Sequence, residues 1–138
     1  MISRIRLTAF LFCILTATSL ARTERIAIVV GSNVGLSDDI RLQFAESDAR
    51  RFSETMLELG GYTSDRVYLL CGKSKDEVLD AIHETIGRTK ELKRSGLRVE
   101  VMIYYSGHGE SDAFHIRGTK LKLDELRSLF SELPADLK

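Results

Sequence analysis

Ile26-Ala27-Ile28-Val29-Val30-Gly31 is a short, continuous apolar run stopped by a glycine. Such a run reads as a strand buried on both faces, the kind found in parallel sheets. Two further runs match it. Arg66–Leu70 (Arg-Val-Tyr-Leu-Leu) is closed by Cys71-Gly72, and Arg98–Tyr105 begins in alternation and ends as Val101-Met102-Ile103-Tyr104-Tyr105. Between the first two, Ala45, Ala49, Phe52, Met56 and Leu59 recur at spacings of 4, 3, 4 and 3. That is one apolar stripe of a helix, with Gly60-Gly61 as its left-handed stop. Between the second and third, Ser74-Lys75-Asp76-Glu77 is a capping box. It opens a helix whose inward face is Val78/Leu79, Ile82 and Ile86. After the third strand, Ala113–Arg117 reads as one arm of a hairpin turning at Gly118-Thr119, and Leu123, Leu126, Phe130 and Leu133 mark a last helix. A β-α-β-α-β order of this kind predicts an α/β fold, a three-layer α-β-α sandwich around a mainly parallel sheet with right-handed crossovers.

The chain has 138 residues, 20 Lys+Arg against 20 Asp+Glu, two cysteines (Cys13 and Cys71) and a single proline, Pro134. One domain of ordinary globular composition fits these figures. A balanced charge gives no electrostatic footprint for nucleic acid, and two cysteines cannot make a disulfide scaffold. Arg4 and Arg6 precede Leu7–Ala21, a stretch with no charged residue that ends in Ser19-Leu20-Ala21. Fifteen uncharged residues fall short of the ~20 that a membrane-spanning helix needs. Residues 1–21 therefore read as a secretory signal peptide, cleaved after Ala21 with Ser19 as the secondary site. An uncleaved anchor or an amphipathic start helix is the alternative. Cys13 follows bulky Phe12, which argues against a lipoprotein. Without residues 1–21, 18 basic residues face 20 acidic ones, a net charge of −2, and Cys71 is the remaining cysteine. The expected product is exported, periplasmic or extracellular, with no stable membrane association after cleavage. Residues 22–138 form its one domain.

In parallel α/β sheets, ligands and catalytic groups gather beyond the carboxyl ends of the strands. That rule selects Gly31–Asn33, Cys71–Gly72 and Ser106–Gly109. The last is Ser106-Gly107-His108-Gly109, where two glycines clear the space around an imidazole. Imidazole is the usual general base near neutral pH. The alternative for His108 is a loop histidine that makes one structural hydrogen bond. Ser106 is a poor nucleophile candidate, because a nucleophile elbow reads G-x-S-x-G and Tyr104 stands where its first glycine belongs. His115 on the hairpin reads as structural and His83 as solvated. His108, Asp112 and His115 do not have tight zinc spacing, so no metal is expected. Gly31-Ser32-Asn33-Val34-Gly35 lacks the lysine of a phosphate-binding loop, and no cofactor is expected.

Tyr104-Tyr105-Ser106-Gly107-His108-Gly109 resembles the histidine motif of the caspase superfamily, which includes metacaspases and bacterial caspase-like peptidases. Ile26–Gly31 resembles that family's first strand, and Phe44–Ala49 its helix-opening segment ending in Asp48-Ala49. Leu57–Tyr62, Val67–Leu70 and Leu121–Phe130 fit the approach to the second strand, that strand, and the helix after the histidine loop. The resemblance implies a cysteine endopeptidase acting on protein or peptide substrates. His108 would be the catalytic histidine, and the Gly109 N–H would be a donor to the oxyanion. It also implies the strand order second, first, third, then a strand carrying the cysteine.

In caspases the cysteine follows the histidine by roughly 50 residues. Here 30 residues follow His108, and none is cysteine. By the resemblance, the chain is expected to be the histidine half of a caspase-like domain, truncated before the cysteine-bearing strand and inactive alone. Cys71 closes the second strand, two strand spacings of ~4.8 Å from the third, and is a poor substitute. Arg41 or Asp38/Asp39 would lie in a loop that contributes to the family's substrate pocket, but no substrate-binding residue is assigned. The competing expectation is a non-catalytic module of the same fold. Its open sheet edge would accept a strand from a partner or from a second copy of itself.

Overall fold

The computed structural model describes residues 22–138; the export-signal reading falls on residues 1–21, outside the described residues. The first apolar run is the centre of the molecule. It forms β1 (Thr23–Gly31), flanked by β2 (Val67–Cys71) and β3 (Arg98–Ser106), all parallel, in the order β2-β1-β3. The register brings Cys71, Gly31 and Ser106 into one row across the sheet's carboxyl edge. Ile26, Ala27, Ile28 and Val29 have no exposed surface, so both faces of β1 are covered, as its unbroken apolar sequence requires.

The two faces differ in depth. One carries α1 (Ala45–Glu58), whose Ala49 and Phe52 pack on Ala27, Val29, Met102 and Tyr104. The other carries α2 (Lys75–Arg94) and α3 (Leu123–Ser131), with Val78, Ile82, Ile86 and Leu126 against Ile26, Ile28, Val99 and Val101. The α1 contact face is not the stripe expected from periodicity. Its buried residues are Ala45, Ala49 and Ser53, four apart and all small, while Leu59 lies past the helix end and is 82% exposed. Small side chains let α1 approach the sheet closely, so the larger Phe52 and Met56 sit at its margin.

The capping box at Ser74 is present: its hydroxyl accepts the Glu77 N–H and the Glu77 carboxylate accepts the Ser74 N–H. Lys73 first, then Ser74, hold the Glu77 carboxyl down at about 2. The left-handed residue after α1 is Gly61, φ +70°.

After β3 the chain forms a small antiparallel sheet, β4 (Gly109–Glu110), β5 (Ala113–Ile116) and β6 (Thr119–Lys122). β4 has only two residues and no periodic signal of its own. The hairpin turns at Arg117-Gly118, one residue earlier than expected, with φ +45° and +83°. Two consecutive positive φ values are the two-residue hairpin geometry whose twist matches the flanking strands. Beyond α3, Val101 donates to the Leu137 carbonyl at 2.9 Å and Asp136 to the Val99 carbonyl at 2.8 Å. Residues 136–137 thus start a parallel pairing along the outer edge of β3, through a single bridge between Glu100 and Leu137. Among the described residues, no helix is long and apolar enough to cross a membrane.

Candidate active site

The site lies where β3 runs out. Ser106 ends the strand, and its carbonyl accepts the Ser32 N–H at 2.9 Å, tying the loops after β1 and β3 together. Gly107 follows at a point where no side chain fits. A Cβ there would overlap the Tyr105 hydroxyl and come within 3.1 Å of the Ser32 carbonyl. The Tyr105 hydroxyl fills the space because it is the hub of the turn, 2.7 Å from the His108 carbonyl and 2.8 Å from the His115 carbonyl. Burial, and after it the nearby charge of Asp39, push this phenol up to about 12, so it remains a donor. Its ring stacks on Phe114 at 4.2 Å.

His108 is half-buried, and its Nε2 lies 2.6 Å from the Ile40 carbonyl. A carbonyl can only accept, so Nε2 carries a proton, and the tautomer that this bond selects has its lone pair on Nδ1. The sequence pointed to His108 but not to its partner. Ile40 is 68 residues away, contributes only a backbone atom, and has a side chain that is 85% exposed. The next residue, Gly109, pairs with Phe114 while His115 donates to the His108 carbonyl at 2.9 Å. Bonded and non-bonded pairs alternate in an antiparallel ladder, so Gly109·Phe114 is a non-bonded pair and its N–H points away from β5.

Asp39, in the same loop as Ile40, accepts the Leu36 N–H at 2.7 Å and lies 2.7 Å from His115 Nδ1. The Leu36 N–H first, then His115, hold its carboxyl below the usual carboxylate range. His115 is therefore a buried, carboxylate-bound histidine, in keeping with its reading as structural, whereas His83 is exposed on α2.

A histidine between glycines at the carboxyl end of the third strand and the strand order β2-β1-β3 occur together here. The sequence pattern of the caspase domain, peptidase family C14, matches residues 24–136. The chain belongs to the caspase domain family. A search of curated proteins finds no match.

In this caspase domain the described cysteine is far from the histidine. Cys71 stands across two strands from Ser106, beyond Gly31, and its thiol turns onto the α1 face, 3.5 Å from the Glu46 carbonyl. Burial raises its pKa above that of an ordinary thiol, which is the wrong direction for a nucleophile. Ser106 is held in the β3 ladder, paired with Gly31. Arg41 lines a cleft with Ser32, Val34, Glu46, Gly72 and Arg117 at the carboxyl ends of β1 and β2. Arg117 is oriented there by donating to the Gly72 carbonyl at 2.6 Å. Asp38 borders the neighbouring surface with Val34 and Gly118. No group of three or more His, Cys, Asp or Glu side chains among the described residues could hold a metal.

Proposed function

We propose that this caspase domain serves an exported cysteine-type endopeptidase, with His108 as its catalytic histidine and the Gly109 N–H as an oxyanion donor. The observation that carries the reading is the pairing of His108 Nε2 with the Ile40 carbonyl, which reserves Nδ1 for proton transfer. The thiol would give its proton to His108 Nδ1, the thiolate would attack the scissile carbonyl, and His108 would pass that proton to the leaving amine. The Gly109 N–H, free of the hairpin ladder, would meet the negative charge on the tetrahedral oxygen. The nucleophile is a cysteine that is not among residues 22–138, brought in along the outer edge of β3. Among the described residues, that edge is paired only at the Glu100–Leu137 bridge, beside an apolar groove of Tyr62, Met102, Ile103 and Phe130.

A peptidyl acyloxymethyl ketone, which alkylates the thiol of a working cysteine peptidase, tests this on protein purified from its source. Labelling of a cysteine other than Cys71 is expected, located by mass spectrometry of the digest. Labelling at Cys71, or none at all, sinks the reading. The absence of labelling together with a stable dimer or hetero-complex would favour the second reading, a non-catalytic module whose open β3 edge takes a strand from a partner. For export, intact mass of the secreted protein is expected to place its first residue at Arg22. A product that begins at Met1 would refute cleavage after Ala21.

A further inference from the structure

Residues 36–41 carry the Ile40 carbonyl that holds His108, and they have little else to hold them. Among the described residues, their hydrogen-bonded links to the rest of the molecule are two: Ile40 to His108, and Asp39 to His115. The remaining bonds are internal, Asp39 N–H to the Leu36 carbonyl at 3.2 Å and Leu36 N–H to Asp39 Oδ2 at 2.7 Å. Gly35 leaves room for the arrangement, since a Cβ there would overlap the Asp39 carboxylate.

His115 is well suited to anchor this loop. It is 8% exposed, and its position is fixed from both sides by β5 pairing and by the Tyr105 hydroxyl at its carbonyl. Its Nδ1 donates to Asp39, and the same residue's N–H donates to the His108 carbonyl. The two histidines are thus joined twice, once through the backbone and once through Asp39 and Ile40. The other charged groups around His115 are Glu110, 3.8 Å from Nε2, and Lys120, paired with Glu110 at 2.5 Å.

We propose that His115 and Asp39 are positioning residues: together they place the Ile40 carbonyl and so fix the orientation and tautomer of His108. In this role the pair acts through the loop. The inference rests on His108 being the catalytic histidine, but its readout is the His108 ring and not turnover. Failure of the test therefore leaves the peptidase reading to the labelling experiment.

The test is NMR of full-length, uniformly 15N-labelled protein. A hydrogen-bonded imidazole N–H exchanges slowly enough to be seen, and a solvent-exposed one does not. The parent protein is expected to show the His108 Nε2–H resonance. In His115→Leu and in Asp39→Ala the resonance should vanish, and the Leu36 amide should exchange at least tenfold faster. His115→Asn, whose amide nitrogen stands close to the place of Nδ1, should restore both. Asp39 lies on a surface loop, so Asp39→Ala carries the test if His115→Leu does not fold. Absence of the resonance in the parent, its persistence in Asp39→Ala or in a folded His115→Leu, or its loss in His115→Asn each overturns the proposal.

Discussion

Gly31→Ala is expected to lower the thermal unfolding midpoint by about 10–20 °C, from a loss of about 2–3 kcal/mol. The added methyl has nowhere to go. It would stand 2.7 Å from the Ala49 Cβ and 2.8 Å from both the Ala45 carbonyl and the Glu46 Cα. None of these atoms ends a flexible side chain, so the first turn and a half of α1 would have to lift from the sheet. Lifting it opens the packing of Ala49 and Phe52 on Val29 and Tyr104, including the Phe52–Tyr104 stack at 4.0 Å. It also pulls on the loop above the site. Glu46 and Asn33 exchange hydrogen bonds, 3.2 and 3.4 Å, that anchor this loop to α1. Gly87 in α2 is the control of opposite sign, with nothing within 4 Å of an added Cβ. Gly87→Ala removes a helix-interior glycine and should stabilise by about 0.5–1 kcal/mol. A Gly31→Ala midpoint within about 4 °C of the parent, less than the shift expected for 1 kcal/mol, would sink the account.

That glycine also marks how far the sequence could be read. The three strands were legible because β1 is apolar at every position from Ile26 to Val30, and a strand covered on both faces leaves that signature directly. The Ser74 capping box was legible because its hydrogen bonds are local and its residues are three apart. His108 stood out because flanking glycines are a local signal too. What could not be read depends on distance along the chain. Leu59 was placed on the buried stripe by periodicity, yet it is exposed, because close approach to the sheet at Gly31 selects Ala45, Ala49 and Ser53 instead. The Ile40 carbonyl leaves no side-chain signature at all. Asp39 and His115 are 76 residues apart, and only the folding of the loop onto the hairpin joins them. The family resemblance implied a role for His108, but not the carbonyl that its ring meets.

In any preparation of this protein that cleaves peptides, His108→Ala is expected to lower kcat/KM by about 10³-fold or more, while Cys71→Ser leaves it within about twofold. The two effects separate because the two side chains share no chemistry. His108 Nδ1 is the lone pair that the Ile40 carbonyl leaves free, at the carboxyl end of β3 and next to the open edge. General acid–base transfer by a positioned side chain is worth about 10²–10⁴-fold, and thiolate formation depends on the same imidazole. Cys71 instead donates toward the Glu46 carbonyl on the α1 face, with its pKa raised by burial. Serine there is smaller by little and can make the same hydrogen bond, so the fold should tolerate it. Steady-state hydrolysis of a fluorogenic peptide library by parent and both variants makes the comparison. A loss of activity in Cys71→Ser comparable to that in His108→Ala would place the nucleophile on β2, against the strand order that separates them. Unchanged activity in His108→Ala would remove this loop from the reaction altogether. The expected asymmetry follows from the Cys71–Gly31–Ser106 row, which puts the whole width of β1 between that thiol and the end of β3.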